Sequence, residues 1–147
     1  MATTRRRRSR VQVAVKVTGA GHAAGVLRTA ASAWVRREEL SIALVSDREM
    51  RSLNRRWRGK DRSTDVLSFP LQEPGALGDV VISIDTARRQ ARLGGWPLSA
   101  ELRRLLAHGI LHCLGYDHMT PRDARRMAAA ERRLLGSRGM VGDAVWR

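Results

Sequence analysis

Val11, Val13, Val15 and Val17 alternate with Gln12, Ala14 and Lys16, the period of a strand with one face on a core, and Gly19 with Gly21 ends the run. From about Ala23 to Glu38 the apolar positions change to helical spacing through Val26, Leu27, Ala30, Ala31, Trp34 and Val35. A second alternation, Leu40, Ile42 and Leu44, predicts a strand over 39–46. Ser46 and Glu49 have capping-box spacing, with the serine oxygen accepting an early helical N–H and the glutamate reaching back. They predict a short helix that carries Met50, Leu53 and Trp57 inward under an arginine-rich outer face. Residues 64–69 predict a third strand ended by Pro70, and the turn at Glu73, Pro74 and Gly75 leads into a fourth over 78–83, making a hairpin. A helix over 85–93 is closed by Gly94 and Gly95. Pro97 and Ser99 introduce another from about Ala100 to Leu114, which Gly115 stops. Thr120, Pro121 and Asp123 open a last helix reaching about Leu135. The order β, α, β, α, β, β, α, α, α predicts a single α+β domain, four strands against five helices, with the sheet order left open.

Composition changes the picture in one respect. A chain of 147 residues with 43% hydrophobic content builds one packed core and leaves no room for two large domains. Its 28 basic residues face 14 acidic ones, a formal charge of +14, and 26 of the 28 are arginine. That excess calls for an anionic partner such as nucleic acid, and the planar guanidinium fork matches phosphate oxygens; a coding bias toward arginine is the bland alternative. Arg5, Arg6, Arg7, Arg8 and Arg10 precede any periodicity and read as a flexible basic arm over 1–10, with the domain over 11–147; the body is basic without the arm. The lone Cys113 makes no internal disulfide, and no apolar span or signal peptide is evident, so the cytosol is the expected compartment.

Three of the 4 histidines lie between His108 and His118. On a helix His108 and His112 stand at i and i+4 on one face, and Gly115 lets the chain return His118 as a third ligand. Zinc accepts neutral imidazoles at about 2.0 to 2.1 Å and keeps a fourth position open in catalytic sites. The alternative, two polar residues at a helix end and one in a turn, leaves an apolar helix bearing imidazoles for no shared reason. Cys113 lies one residue round the helix from His112 and reads as core packing, and His22 as a surface histidine. The spacing H-x3-H-x5-H matches the long zinc motif of metzincin peptidases, but Gly109 stands where their general-base glutamate would be, which argues against peptide hydrolysis.

The segment His108-Gly109-x-Leu111-His112-x-x-Gly115-Tyr116-Asp117-His118 also resembles the histidine motif of the YbeY-type endoribonucleases, with Cys113 where leucine is more usual. Two further stretches share the resemblance: Leu53-Asn54 with Trp57-Arg58-Gly59-Lys60-Asp61, running on through Thr64 to Pro70, and Gly78-Asp79-Val80-Val81-Ile82-Ser83. It covers nearly all of the domain after the arm. What it implies is one α+β domain, one zinc ion held by His108, His112 and His118, and cleavage of single-stranded RNA. The setting it implies is maturation of the small-subunit ribosomal RNA 3′ end and ribosome quality control, with the ribosome or its small-subunit proteins as partners. Arg58 matches the family's functional arginine, where a guanidinium can clamp a phosphate as negative charge develops.

Seven basic residues between Arg48 and Arg62 face only Glu49 and Asp61, a candidate phosphate track in which Arg55, Arg56, Lys60 and Arg62 join Arg58 as RNA contacts. The last helix offers a second basic face at Arg122, Arg125, Arg126, Arg132 and Arg133, whose default reading is a solvated surface. Asp117 either orients a ligand imidazole or braces a turn, Asp65 and Asp79 either approach the cleft or cap strands, and Tyr116 either stacks on a base or packs under the histidine loop. Three function classes follow: a zinc endoribonuclease, an RNA-binding factor with a structural zinc, and, last, a zinc peptidase.

Overall fold

The computed structural model describes residues 10–136. Their elements run β1 (Arg10–Val15), α1 (Gly21–Trp34), β2 (Glu39–Val45), α2 (Asp47–Arg58), β3 (Val66–Glu73), β4 (Ala76–Ser83), α3 (Ile84–Gly94), α4 (Leu98–Cys113) and α5 (Pro121–Leu135). The sheet order is β1-β2-β4-β3, with β1, β2 and β4 parallel and β3 antiparallel on the edge. This is the expected α+β domain. No helix among the described residues is long and apolar enough to cross a membrane.

Alternation along the strands makes two faces that carry different helices. Leu40, Ile42, Leu44, Val80 and Ile82 join Leu27, Ala31, Leu102, Leu105, Leu106 and Ile110 in the main core under α1 and α4. Val45, Leu67 and Val81 point the other way and meet Met50 of α2, with Leu53 and Phe69 at the margin. α4 and α2 therefore lie on opposite faces of the sheet. The close approach of α4 requires a glycine: a Cβ at Gly109 would lie 2.7 Å from Val80 Cγ1 and 3.3 Å from Ser68 Oγ. Position 109 faces the sheet, so a glutamate placed there would be buried in the core and could not act as a base.

Several expectations shift. β3 does not stop at Pro70 but continues to Glu73, because an edge strand has a partner on one side only and tolerates a missing N–H on the other. Trp57 is not carried inward; it is 63% exposed, and Asn54 takes the buried place beside Met50. α1 ends at Trp34, four residues early, where Val35 turns to extended backbone while staying buried. α4 begins at Leu98 rather than Ala100. Ser46 caps α2 by accepting from the Glu49 N–H, but Glu49 pairs with Lys16 of the β1 edge instead of reaching back. Arg10 belongs to β1, not to an arm, and pairs with Glu39 at 3.3 Å. The rest of the basic arm, 1–9, and the stretch from 137 onward lie outside the described residues.

Asp47 fixes where α2, β4 and α3 meet. Its Oδ1 accepts from Ser63, Ser83 and Thr86 hydroxyls at 3.1, 2.7 and 2.6 Å, and its Oδ2 from Arg89 at 2.7 Å. Burial alone would raise its pKa, but the hydrogen bonds from Arg89, Thr86, Ser83 and Ser63 together hold the carboxyl well below the usual carboxylate range. A depressed folded pKa means that Asp47 contributes stability above its unfolded value of about 3.9, and that this is lost as pH falls below it. Asp47→Ala should cost about 3 kcal/mol at pH 7 in urea unfolding. The variant should also lose less stability than the wild type between about pH 4 and pH 2, the window that this carboxyl governs. Parallel acid curves for the two proteins would show that Asp47 contributes nothing to acid sensitivity.

Candidate metal centre

α4 presents His108 and His112 one turn apart, ring centroids 4.6 Å from each other and planes at 81°. The helix stops at Cys113, and Gly115, at φ +98°, reverses the chain. The N–H groups of Gly115 and Tyr116 bond back to the carbonyls of His112 and Leu111 at 3.0 Å each, which closes the reversal tightly. His118 then returns with its ring centroid 5.8 Å from that of His108 and 5.3 Å from that of His112. One nitrogen from each ring lies within 4.8 Å of the others. The expected three imidazoles converge, and the cluster could hold a metal ion.

The donor set fits zinc. His112 Nε2 and His108 Nε2 are 3.1 Å apart, near the roughly 3.3 Å that separates two nitrogens bonded tetrahedrally to one zinc ion. His112 is kept below its ordinary pKa, first by burial and then by the neighbouring His108 and His118, so its ring is neutral at pH 7, the form that ligates. It also hydrogen-bonds the backbone of Tyr116. His118 is exposed, which leaves the cluster open to solvent on that side.

The residue that holds His108 was not among the expected ones. Glu131 of α5, 5% exposed, places Oε1 2.7 Å from His108 Nδ1 and so leaves Nε2 turned toward the other rings. Its sequence signal is an acid inside an apolar stripe, four residues after Met127 and three before Leu134. Behind it lies a buried charged group. Arg104, 1% exposed, pairs with Glu101 at 3.5 Å, feels Glu131 and Asp65, and stacks 4.8 Å from the Trp96 ring centroid, while Trp96 Nε1 donates to Glu101.

The open alternatives resolve toward structure. Asp117 accepts from the Met119 N–H and braces the turn. Tyr116 packs with Leu111, Met127 and Ala130 beneath the histidine loop. Asp65 accepts from the Val66 N–H and from Gln90 at the start of β3. Burial, with Asp79 nearby, pushes the Cys113 thiol up to about 11, so it packs as a neutral side chain. His22 is exposed at the start of α1 and takes no part in the cluster.

Arg58 ends α2, exposed, on the face of the sheet opposite α4. Gly59, at φ +66°, terminates that helix, and Asn54 Nδ2 donates to the Arg62 carbonyl at 2.8 Å, which pins the loop carrying Lys60 and Arg62. Arg51 is paired with Asp61 at 2.9 Å. Arg55 feels Asp61 at longer range, whereas Arg56, Arg58, Lys60 and Arg62 have no carboxylate partner among the described residues. The structure thus brings the histidines together on α4 and the turn after it, and carries the arginine track on α2 and the loop that follows.

Residues 9–139 match the model of a family described as Endoribonuclease YbeY. The Endoribonuclease YbeY of Myxococcus xanthus is 59% identical over 114 residues, which are 73% of this chain and 39% of that protein. Its counterpart in an Anaeromyxobacter species is 56% identical over 132 residues, 84% of this chain and 69% of that protein. That of Anaeromyxobacter dehalogenans is 62% identical over 111 residues, 73% of this chain and 58% of that protein. The chain thus spans between 39% and 69% of the length of these curated relatives. The solution structure of TM1509 from Thermotoga maritima superposes with a TM-score of 0.57 at 25% identity, covering 93% of this chain and 99% of that one.

Proposed function

We propose, from the premise that this chain belongs to the YbeY endoribonuclease family, that it cuts single-stranded RNA at a zinc ion held by His108, His112 and His118. Its substrate in this reading is ribosomal RNA during maturation, with the 3′ end of the small-subunit RNA as the target and the ribosome as the place of work. Ribosome quality control and a cytosolic location belong to the same reading. The single observation that supports it is the convergence of three imidazole nitrogens within 4.8 Å, one of them oriented by a buried carboxylate.

When bound, zinc supplies Lewis acidity that polarises a phosphoryl oxygen and lowers the pKa of water. The protein's own residues do the positioning. Glu131 fixes the His108 ring, the neutral His112 ring offers its nitrogen without a proton to displace, and the exposed His118 borders the opening through which a phosphate enters. Arg58 is read as a phosphate contact on the strand as it rounds the β3 edge, with Arg55, Arg56, Lys60 and Arg62 as further contacts. Gly109 stands where a peptidase's general-base glutamate would be, and that position faces the sheet. The basic stretch before β1, residues 1–9, is read as a nonspecific contact to RNA beyond the domain.

The test is cleavage of a defined single-stranded RNA by the full chain, with zinc and with a chelator, followed by analysis of the product ends. Cleavage that zinc supports and chelation removes is the expected result, with a cyclic phosphate as the first product only if the 2′-oxygen is the nucleophile. Turnover indifferent to chelation would end this reading. RNA binding without any cleavage would instead favour the binding factor with a structural zinc.

A further inference from the structure

We propose that the bare face of the sheet beside α2 is a stacking platform for the RNA single strand, with Trp57 as its principal stacking surface. The proposal rests on reading the chain as a ribonuclease of single strands, and it assigns that strand a second contact site, on the face of the sheet opposite the histidines.

α2 covers the part of this face formed by β2, β4 and β3, through Met50 and Leu53 packed on Val45, Val81, Leu67 and Phe69. Toward β1 the face is open, and Gln12, Ala14, Lys16 and Ser41 are exposed on it. The result is a groove of about 540 Å³ running from these residues to Trp57 and Phe69. An exposed sheet face that only met solvent would be lined with charge; here the lining is mostly small or apolar, its polar members being Gln12, Ser41, the carboxylate of Asp79 and an ion pair, Lys16 with Glu49, that reaches from the end of β1 to α2.

The occupant follows from the ring and the charge around it. Trp57 is 63% exposed although its edge contact to Phe69, with centroids 6.1 Å apart, shows that it has an apolar surface to lie on. Arg56 stacks over it at 5.6 Å from the ring centroid. Beyond the ring come Arg58, Lys60 and Arg62, cations without carboxylate partners among the described residues. An exposed indole beside unneutralised cations is what a single strand needs, a π-face for a base and positive charge for its phosphates. On the other side of this sheet, a side chain added at Gly78 of β4 would meet the Cys113 thiol, so the fold keeps a glycine there, and Cys113 follows His112 directly.

The test uses the full chain and a fluorescent single strand of about 12 nucleotides, a length within the range such grooves cover. Anisotropy titrations over a salt series, with strand integrity checked on a gel, compare the wild type with Trp57→Ala, Trp57→Phe, Ala14→Glu and a control, Ala33→Glu. Ala33 is exposed on α1, across the sheet from the groove, and adds the same charge. Trp57→Ala should weaken binding about tenfold with an unchanged salt slope, because stacking carries no counterion release. Trp57→Phe should keep most of the affinity. Ala14→Glu should weaken binding more than Ala33→Glu. Wild-type affinity in both Trp57→Ala and Ala14→Glu would overturn the platform and leave this face to a protein partner, and so would an equal loss in the two glutamate variants. Cleavage separates the two readings. A wild type that cuts RNA while the groove variants bind normally refutes the platform alone; a wild type that binds through the groove but never cuts refutes the ribonuclease reading alone.

Discussion

His112→Ala should lower cleavage of single-stranded RNA by about a thousandfold or more while leaving the domain folded. His112 is the cleanest of the three proposed ligands to remove. Its ring is half-buried beside two other imidazoles, and its depressed pKa records what that burial costs the charged form. The ring is neutral at pH 7 and only half-buried, so truncation removes no paired charge from the metal-free protein, and the melting temperature without zinc should change little. His108 is a poorer choice, because its loss would leave Glu131 buried without its ring partner. Zinc gives the control. Present at a hundred times its dissociation constant, it stabilises a native site by about 2.7 kcal/mol, so the wild-type melt should move upward with zinc and the His112→Ala melt should not. A variant that still cuts RNA at the wild-type rate would place the chemistry elsewhere.

The parts of this site that follow from local spacing were legible in the sequence, and those that depend on packing between distant elements were not. His108 and His112 at i and i+4, followed by the glycine reversal and His118, are a local pattern, and it closes as read. The strands and helices come in the expected order for the same reason, since each carries its own periodicity. Pro70 misled because its rule depends on whether the strand is central or at an edge, and edge position is fixed by the order β1-β2-β4-β3, which no local pattern states. Trp57 misled because hydrophobicity argues for burial, while α2 turns only Met50, Asn54 and part of Leu53 toward the sheet. Gly109 was read correctly as a missing base, but the reason for the glycine, its contact with Val80, needed the packing of α4 on β4. Asp117 was a natural candidate to orient one of the clustered imidazoles because it is next to His118; the carboxylate that does so comes from α5, thirteen residues beyond the last histidine.

That carboxylate supports the second large effect, Glu131→Gln, which should weaken zinc affinity between about tenfold and a hundredfold. The substitution keeps size and a carbonyl oxygen that can still accept from His108 Nδ1, so the ring has every steric reason to stay in place. What it loses is the negative charge that makes the ring a stronger donor through Nε2. Glu131→Asp should also bind zinc weakly, since a side chain one methylene shorter cannot span the 2.7 Å contact from the same backbone. Glu131→Ala mixes two losses, because Arg104, buried beside Glu101, also feels Glu131 and is left with less compensation. Its metal-free stability should fall as well, whereas that of Glu131→Gln should fall less. Competition with a chromophoric chelator measures the affinities directly and does not depend on cleavage. If Glu131→Gln held zinc as tightly as the wild type, Glu131 would be a packing residue between α4 and α5, and the orientation of His108 would have to come from the helix alone.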